Sequence, residues 1–221
     1  MPTLHTADPK SNLWTHTAAP APDCPALKGD RRADVLVIGG GFTGLSAALH
    51  TAEGGADTVL VEADQPGFGA SGRNNGQVIP AYSRHNPDDA VKLFGPERGE
   101  QLNEMVAGSA DLVFGLIAKH DMDCEAVQEG WLQPAHRASR MKAVQIKHDQ
   151  WAARGAPVEM YDADKAAELT GSPIYHGGWL HRSGGHINPL GYSRGLARAA
   201  QAAGAAVHGD SPVQSIDREG G

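Results

Sequence analysis

Two short, mostly apolar runs, Val35-Leu36-Val37-Ile38 and Thr58-Val59-Leu60-Val61, read as buried strands. Between them Leu45, Ala48, Leu49 and Ala52 recur at helical spacing, so residues 33–62 predict a β-α-β unit. Pro96 opens a helix that is expected to carry Leu102, Met105, Val106, Leu112, Val113, Leu116 and Ile117 on one face. Residues 124–134 predict strand-turn-strand around Glu129-Gly130, and residues 136–153 a second amphipathic helix closed by Gly155. A strand over 158–161 follows. Asp162 then caps a short helix that Gly171 ends. Residues 174–181 predict a strand, and Asn188-Pro189 starts a helix that runs to Gly204. Strands are expected at 205–208 and 213–216. Pro20, Pro22 and Pro25 keep the first 32 residues extended.

The order of these elements predicts an α/β fold: a Rossmann-type nucleotide domain interrupted by a mixed α+β substrate domain. The expected division is a leader at 1–32, the β-α-β unit and a glycine loop at 33–86, an insertion at 87–185, and a return to the first domain at 186–221. Glu219-Gly220-Gly221 reads as a hairpin turn after the last strand, with no return strand following it. The sequence therefore reads as the N-terminal fragment of a longer protein, its C-terminal part missing.

Composition narrows the classes. A formal charge of −7 over 221 residues argues against nucleic acid or an anionic membrane as the main partner. Cys24 and Cys124 form no metal-binding spacing, which suggests a reduced, cytoplasmic chain. No apolar stretch approaches the ~20 residues of a transmembrane helix. The oligomeric state is not legible.

The first strand runs straight into Gly39-Gly40-Gly41-Phe42-Thr43-Gly44, a G-x-G-x-x-G at the start of a helix. Gly39 allows the tight turn, Gly41 lets the backbone approach a pyrophosphate, and Gly44 lets helix and strand pack closely. The helix N-terminus offers unpaired N–H groups to phosphate. Glu62 ends the second strand, where an acid can accept ribose hydroxyls. These features serve FAD or NAD alike, so an NAD-linked dehydrogenase and a non-catalytic nucleotide-binding subunit remain open at this point.

A second small-residue loop, Gly67-Phe68-Gly69-Ala70-Ser71-Gly72-Arg73-Asn74-Asn75-Gly76-Gln77, follows Glu62. Its backbone can form an anion nest, and Ser71, Arg73, Asn74 and Asn75 add side-chain donors. Together with Gly39–Gly44 and Glu62, this loop resembles the FAD-dependent amine and amino-acid oxidoreductases of the D-amino-acid oxidase superfamily, and within it the gamma-glutamylputrescine oxidoreductase type. Gly130-Trp131-Leu132-Gln133-Pro134-Ala135-His136 and Gly184-Gly185-His186-Ile187-Asn188-Pro189-Leu190 extend the resemblance. One departure is Asn75, where the pattern expects glycine.

The resemblance implies FAD as cofactor and a small-molecule amine or amino acid as substrate. Hydride would pass from the carbon next to nitrogen to the flavin, and the imine would hydrolyse. It places Gly39, Gly41, Phe42, Thr43 and Gly44 at the pyrophosphate, and Glu62 and Ala63 at the adenosine ribose. Ala70, Ser71, Gly72, Arg73, Asn74, Asn75, Gly76 and Gln77 would run along the pyrophosphate and ribityl chain, and Val213 would offer backbone groups to adenine.

No catalytic residue is legible. His176, His181 and His186 alternate faces on a strand and do not converge on a metal. His186 is a candidate for contact with substrate or flavin. Trp131 and Trp179 suit core packing better than an amine pocket. Ser71 lacks the partners of a nucleophile. Glu125 and Glu129 read first as a solvated hairpin face.

Overall fold

A computed structural model describes residues 12–218. In chain order it holds α1 (Leu13–Thr17), β1 (Val35–Ile38), α2 (Phe42–Glu53), β2 (Thr58–Val61) and β3 (Gln77–Val78). There follow α3 (Pro87–Phe94), α4 (Pro96–Lys119), β4 (Trp131–Pro134), α5 (Met141–Ala152), β5 (Val158–Tyr161) and α6 (Ala163–Thr170). Last come β6 (Gly178–His181), β7 (Gly185–His186), α7 (Pro189–Ala202) and β8 (Ala206–His208). Single 3-10 turns lie at Ala70–Gly72 and Ala138–Arg140.

The chain forms two units. The first gathers residues 1–76, 117–125 and 187–221; the second holds 77–116 and 126–186. In the first, β1, β2 and β8 form a parallel sheet in the order β1-β2-β8. Val35 lies opposite Thr58 and Ile38 opposite Val61, so the glycine turn leaves β1 level with Glu62 at the end of β2. Helices α2 and α7 pack together, burying Leu45, Leu49 and Leu196 with Leu60 of β2. Asn188 caps α7 by accepting from the Gly191 N–H at 2.9 Å, and Pro189 takes the first helical position.

The leader departs from a wholly extended path. Asn12 caps the one-turn α1 through a reciprocal bond with Thr15. Beyond it the chain lies along α7, where Arg194 donates to Ala19 O and Gln201 to Asp23 O.

In the second unit, β4, β6 and β5 make an antiparallel sheet in the order β4-β6-β5. Its core joins Ala135, Val144, Trp151 and Trp179. The expected hairpin over 124–134 does not form. Its second arm pairs with β6, and its first contributes only a bridge between Val127 and His186. The strand expected at 174–181 is confined to β6. Helix α4 starts at Pro96 as expected, but it buries Asn103, Ala110, Phe114 and Leu116, leaving Met105 72% and Leu112 57% exposed. Helix α3 escaped the sequence reading, although Asn86-Pro87-Asp88-Asp89 is a capping box. Residues 213–216, expected as a strand, make no ladder. The turn expected at 219–221 lies outside the described residues.

Candidate functional site

The first unit brings Gly39–Gly44, Glu62 and residues 70–76 together. Gly39 sits at φ +105°, a backbone angle that side-chain-bearing residues rarely adopt. Its N–H donates to Val61 O at 2.8 Å, tying the turn to β2. A Cβ on Gly44 would lie 1.9 Å from Gly39 O, so this position tolerates only glycine. The ladder of α2 begins with Leu45 N–H donating to Gly41 O. The N–H groups before it point from the helix start, where the dipole favours an anion.

Glu62 is the hinge of the site. Its Oε2 accepts from the Gly40 N–H at 2.6 Å and its Oε1 from the Asp64 N–H at 3.1 Å. These bonds fix the carboxylate against the glycine turn. A carboxylate has about four lone-pair sites, so two remain for hydroxyl donors.

The second loop is built onto the first. Gly67 N–H donates to Gly40 O at 2.8 Å, and Phe42 N–H donates to Ser71 Oγ at 3.0 Å. Ser71 thus accepts at the helix start and keeps its own O–H to give. Gly72 packs so closely that a Cβ would meet Gly67 O at 2.1 Å, and one on Gly76 would meet Ile187 O at 2.3 Å.

Two expected donors have different roles here. The Asn74 amide donates to Ser71 O and Ala70 O, while its Oδ1 accepts from the Gly76 N–H at 2.8 Å. Asn74 therefore shapes the loop with its whole side chain. Arg73 donates its Nε to Gly69 O, stacks over the Phe68 ring and is exposed. Ala63, Ala70 and Asn75 are exposed. Val213 lies in the segment that follows Ser211, whose N–H donates to Glu62 O at 2.8 Å.

Gln77 begins the second unit, where β3 pairs it with His186. His186 and His176 are exposed, while His181 is fully buried between Trp151 and Trp179 with neither ring nitrogen hydrogen-bonded. Burial pulls its pKa down to about 4. The Trp179 indole donates to Gln133 Oε1, and its ring is a core group. Glu125 stands at φ +51° and accepts from Asn188, which is not the hairpin face expected for it. Glu129 is exposed. Both cysteines are buried free thiols, and burial pushes Cys124 up to about 11.

Three supports of the site were not legible. Trp14 donates its indole N–H to Asn74 O at 2.9 Å, Tyr192 packs on Phe42, and Ser193 backs Gly67. All three depend on contacts distant in sequence. Only the Asn12–Thr15 cap marks the leader as structured.

Residues 34–221 match the FAD dependent oxidoreductase (DAO) family. The chain belongs to that family. It is a family of FAD-dependent enzymes, which decides between FAD and NAD. The chain is 37% identical over 184 residues to gamma-glutamylputrescine oxidoreductase of Escherichia coli K12, covering 83% of this chain and 43% of that one. It is 34% identical over 211 residues to the probable oxidoreductase OrdL of Rhizobium meliloti, covering 94% and 49%. Among solved structures, L-amino acid deaminase from Proteus myxofaciens shares the fold at TM-score 0.75 and 18% identity, covering 91% and 43%. Glycine oxidase from Geobacillus kaustophilus does so at TM-score 0.64 and 22% identity, covering 82% and 47%. The chain therefore spans about half the length of the relatives it matches. No helix among the described residues is long and apolar enough to cross a membrane.

Proposed function

We propose that this chain supplies the FAD-holding part of an enzyme that oxidises the carbon next to nitrogen in a small amine or amino acid. The observation that carries this reading is the joining of the two glycine loops through Gly67–Gly40 and Ser71–Phe42, with Glu62 bonded to the same turn. The likeness to gamma-glutamylputrescine oxidoreductase supports an amine as substrate.

In this reading the N–H groups of Gly41, Phe42, Thr43 and Gly44, with Gly39 shaping the turn, hold the pyrophosphate. Glu62 accepts the ribose hydroxyls beside Ala63. The backbone from Ala70 through Gly76, with the Ser71 hydroxyl and the Arg73 guanidinium, lies along the pyrophosphate and ribityl chain, and Gln77 continues it. Val213 offers backbone groups to adenine. FAD held there would supply a hydride acceptor for the substrate carbon next to nitrogen, and the imine product would hydrolyse in water. The protein contributes position and field.

The test is a turnover assay on the polypeptide extended to the length of its relatives, FAD-supplemented, against polyamines, their gamma-glutamyl derivatives, amino acids, hydroxy acids and polyols. Turnover with at least one amine or amino acid, releasing an aldehyde or oxo acid, is expected. Turnover confined to hydroxy-acid or polyol substrates would overturn the reading.

A further inference from the structure

The second unit contains a cavity of about 470 Å³ that none of the proposed cofactor residues lines. Its ionisable walls are Arg84, His136, Arg140 and Lys147, and no aspartate or glutamate lines it. That is a one-sign concentration within a chain of net charge −7.

Lys147 is the unusual member. It is only 8% exposed, and its ammonium meets two backbone carbonyls, Tyr82 O at 2.8 Å and Ser83 O at 3.4 Å. An ammonium has three N–H donors, so a third remains. Burial pulls its pKa down, and no carboxylate among the described residues offsets this. A buried charge without a counter-ion is costly. Arg84 and Arg140 make no ion pair with any described residue, whereas Arg31, Arg154 and Arg182 each face a carboxylate. Pro134 and Ile146 give the same cavity an apolar wall.

We propose that this cavity binds a small organic anion carrying two or more negative charges, a polycarboxylate or an organophosphate. Lys147 meets the anion at the base of the site, Arg84 and Arg140 close on it with guanidinium forks, and the apolar wall takes its carbon skeleton. No residue of either glycine loop lines the cavity.

Calorimetric titration of the full chain with citrate and, separately, with glucose 6-phosphate tests this, beside an Arg84→Gln/Arg140→Gln double variant. Both arginines are exposed, so the variant should keep the parent's thermal midpoint. Saturable binding of either ligand is expected, weakened roughly tenfold or more in the double variant. Tighter citrate identifies a polycarboxylate ligand, and tighter glucose 6-phosphate an organophosphate. No saturable binding of either would overturn the proposal. So would binding of equal strength in the variant, which would put the anion elsewhere, as on the glycine turns.

Discussion

At the scale of single residues, the proposed site depends on groups that would serve fold and ligand together. Glu62 could be read as a ribose acceptor from its place after the second strand. That it also clamps the Gly40 N–H could not, because the bond depends on the exact path of the turn. Glu62→Ala is expected to weaken FAD by about 1.5–3 kcal/mol, roughly ten- to a hundredfold in Kd. Glu62→Gln, which keeps one acceptor for the Gly40 N–H, should lose less. Flavin fluorescence titration of the three proteins measures this, and equal affinity in Glu62→Ala would displace the ribose from the carboxylate. Asn74 teaches the converse. Its composition suggested a ligand donor, but its neighbours in the loop use every polar atom of its side chain.

At the scale of elements, β6 carries a buried imidazole into an apolar, tryptophan-lined core. The unfolded His181 takes up a proton near its ordinary 6.5, while the folded one resists until about 4. Acid therefore favours the unfolded chain, and stability is lost as pH falls through that window. Urea midpoints between pH 7 and 4 should fall less steeply in His181→Phe than in the parent; identical slopes would mean that the imidazole protonates in place. The sequence made β1, α2, β2 and α7 legible because their signals are local: a buried run, a helical period, an Asn-Pro start. It misled at 124–134, where Glu129-Gly130 suggested a hairpin. The arm Trp131–Pro134 instead finds β6, some distance along the chain, and pairing across that distance leaves no local mark. Residues 213–216 have strand-forming side chains and no ladder partner among the described residues.

At the scale of the whole molecule, the chain spans 43% of gamma-glutamylputrescine oxidoreductase of E. coli and 49% of OrdL. Parallel sheets are ordinarily covered on both faces. Here Leu36 is 58% and Ile38 50% exposed on β1, at the edge of its sheet. Residues 39–44, Glu62 and residues 67–76 lie within the first unit, and they carry the proposal that the paired glycine loops and Glu62 hold FAD. The visible spectrum of the purified protein, extended to its relatives' length, tests it most directly, with the flavin released on denaturation quantified beside a Gly41→Val variant. In that variant a side chain would stand where the pyrophosphate must approach, starting from a Cβ 2.9 Å from Ser71 Oγ. The expected result is a yellow parent holding stoichiometric FAD and a folded variant largely stripped of it. A colourless parent that takes up NAD and no FAD, or a variant with parental flavin content, would contradict the assignment.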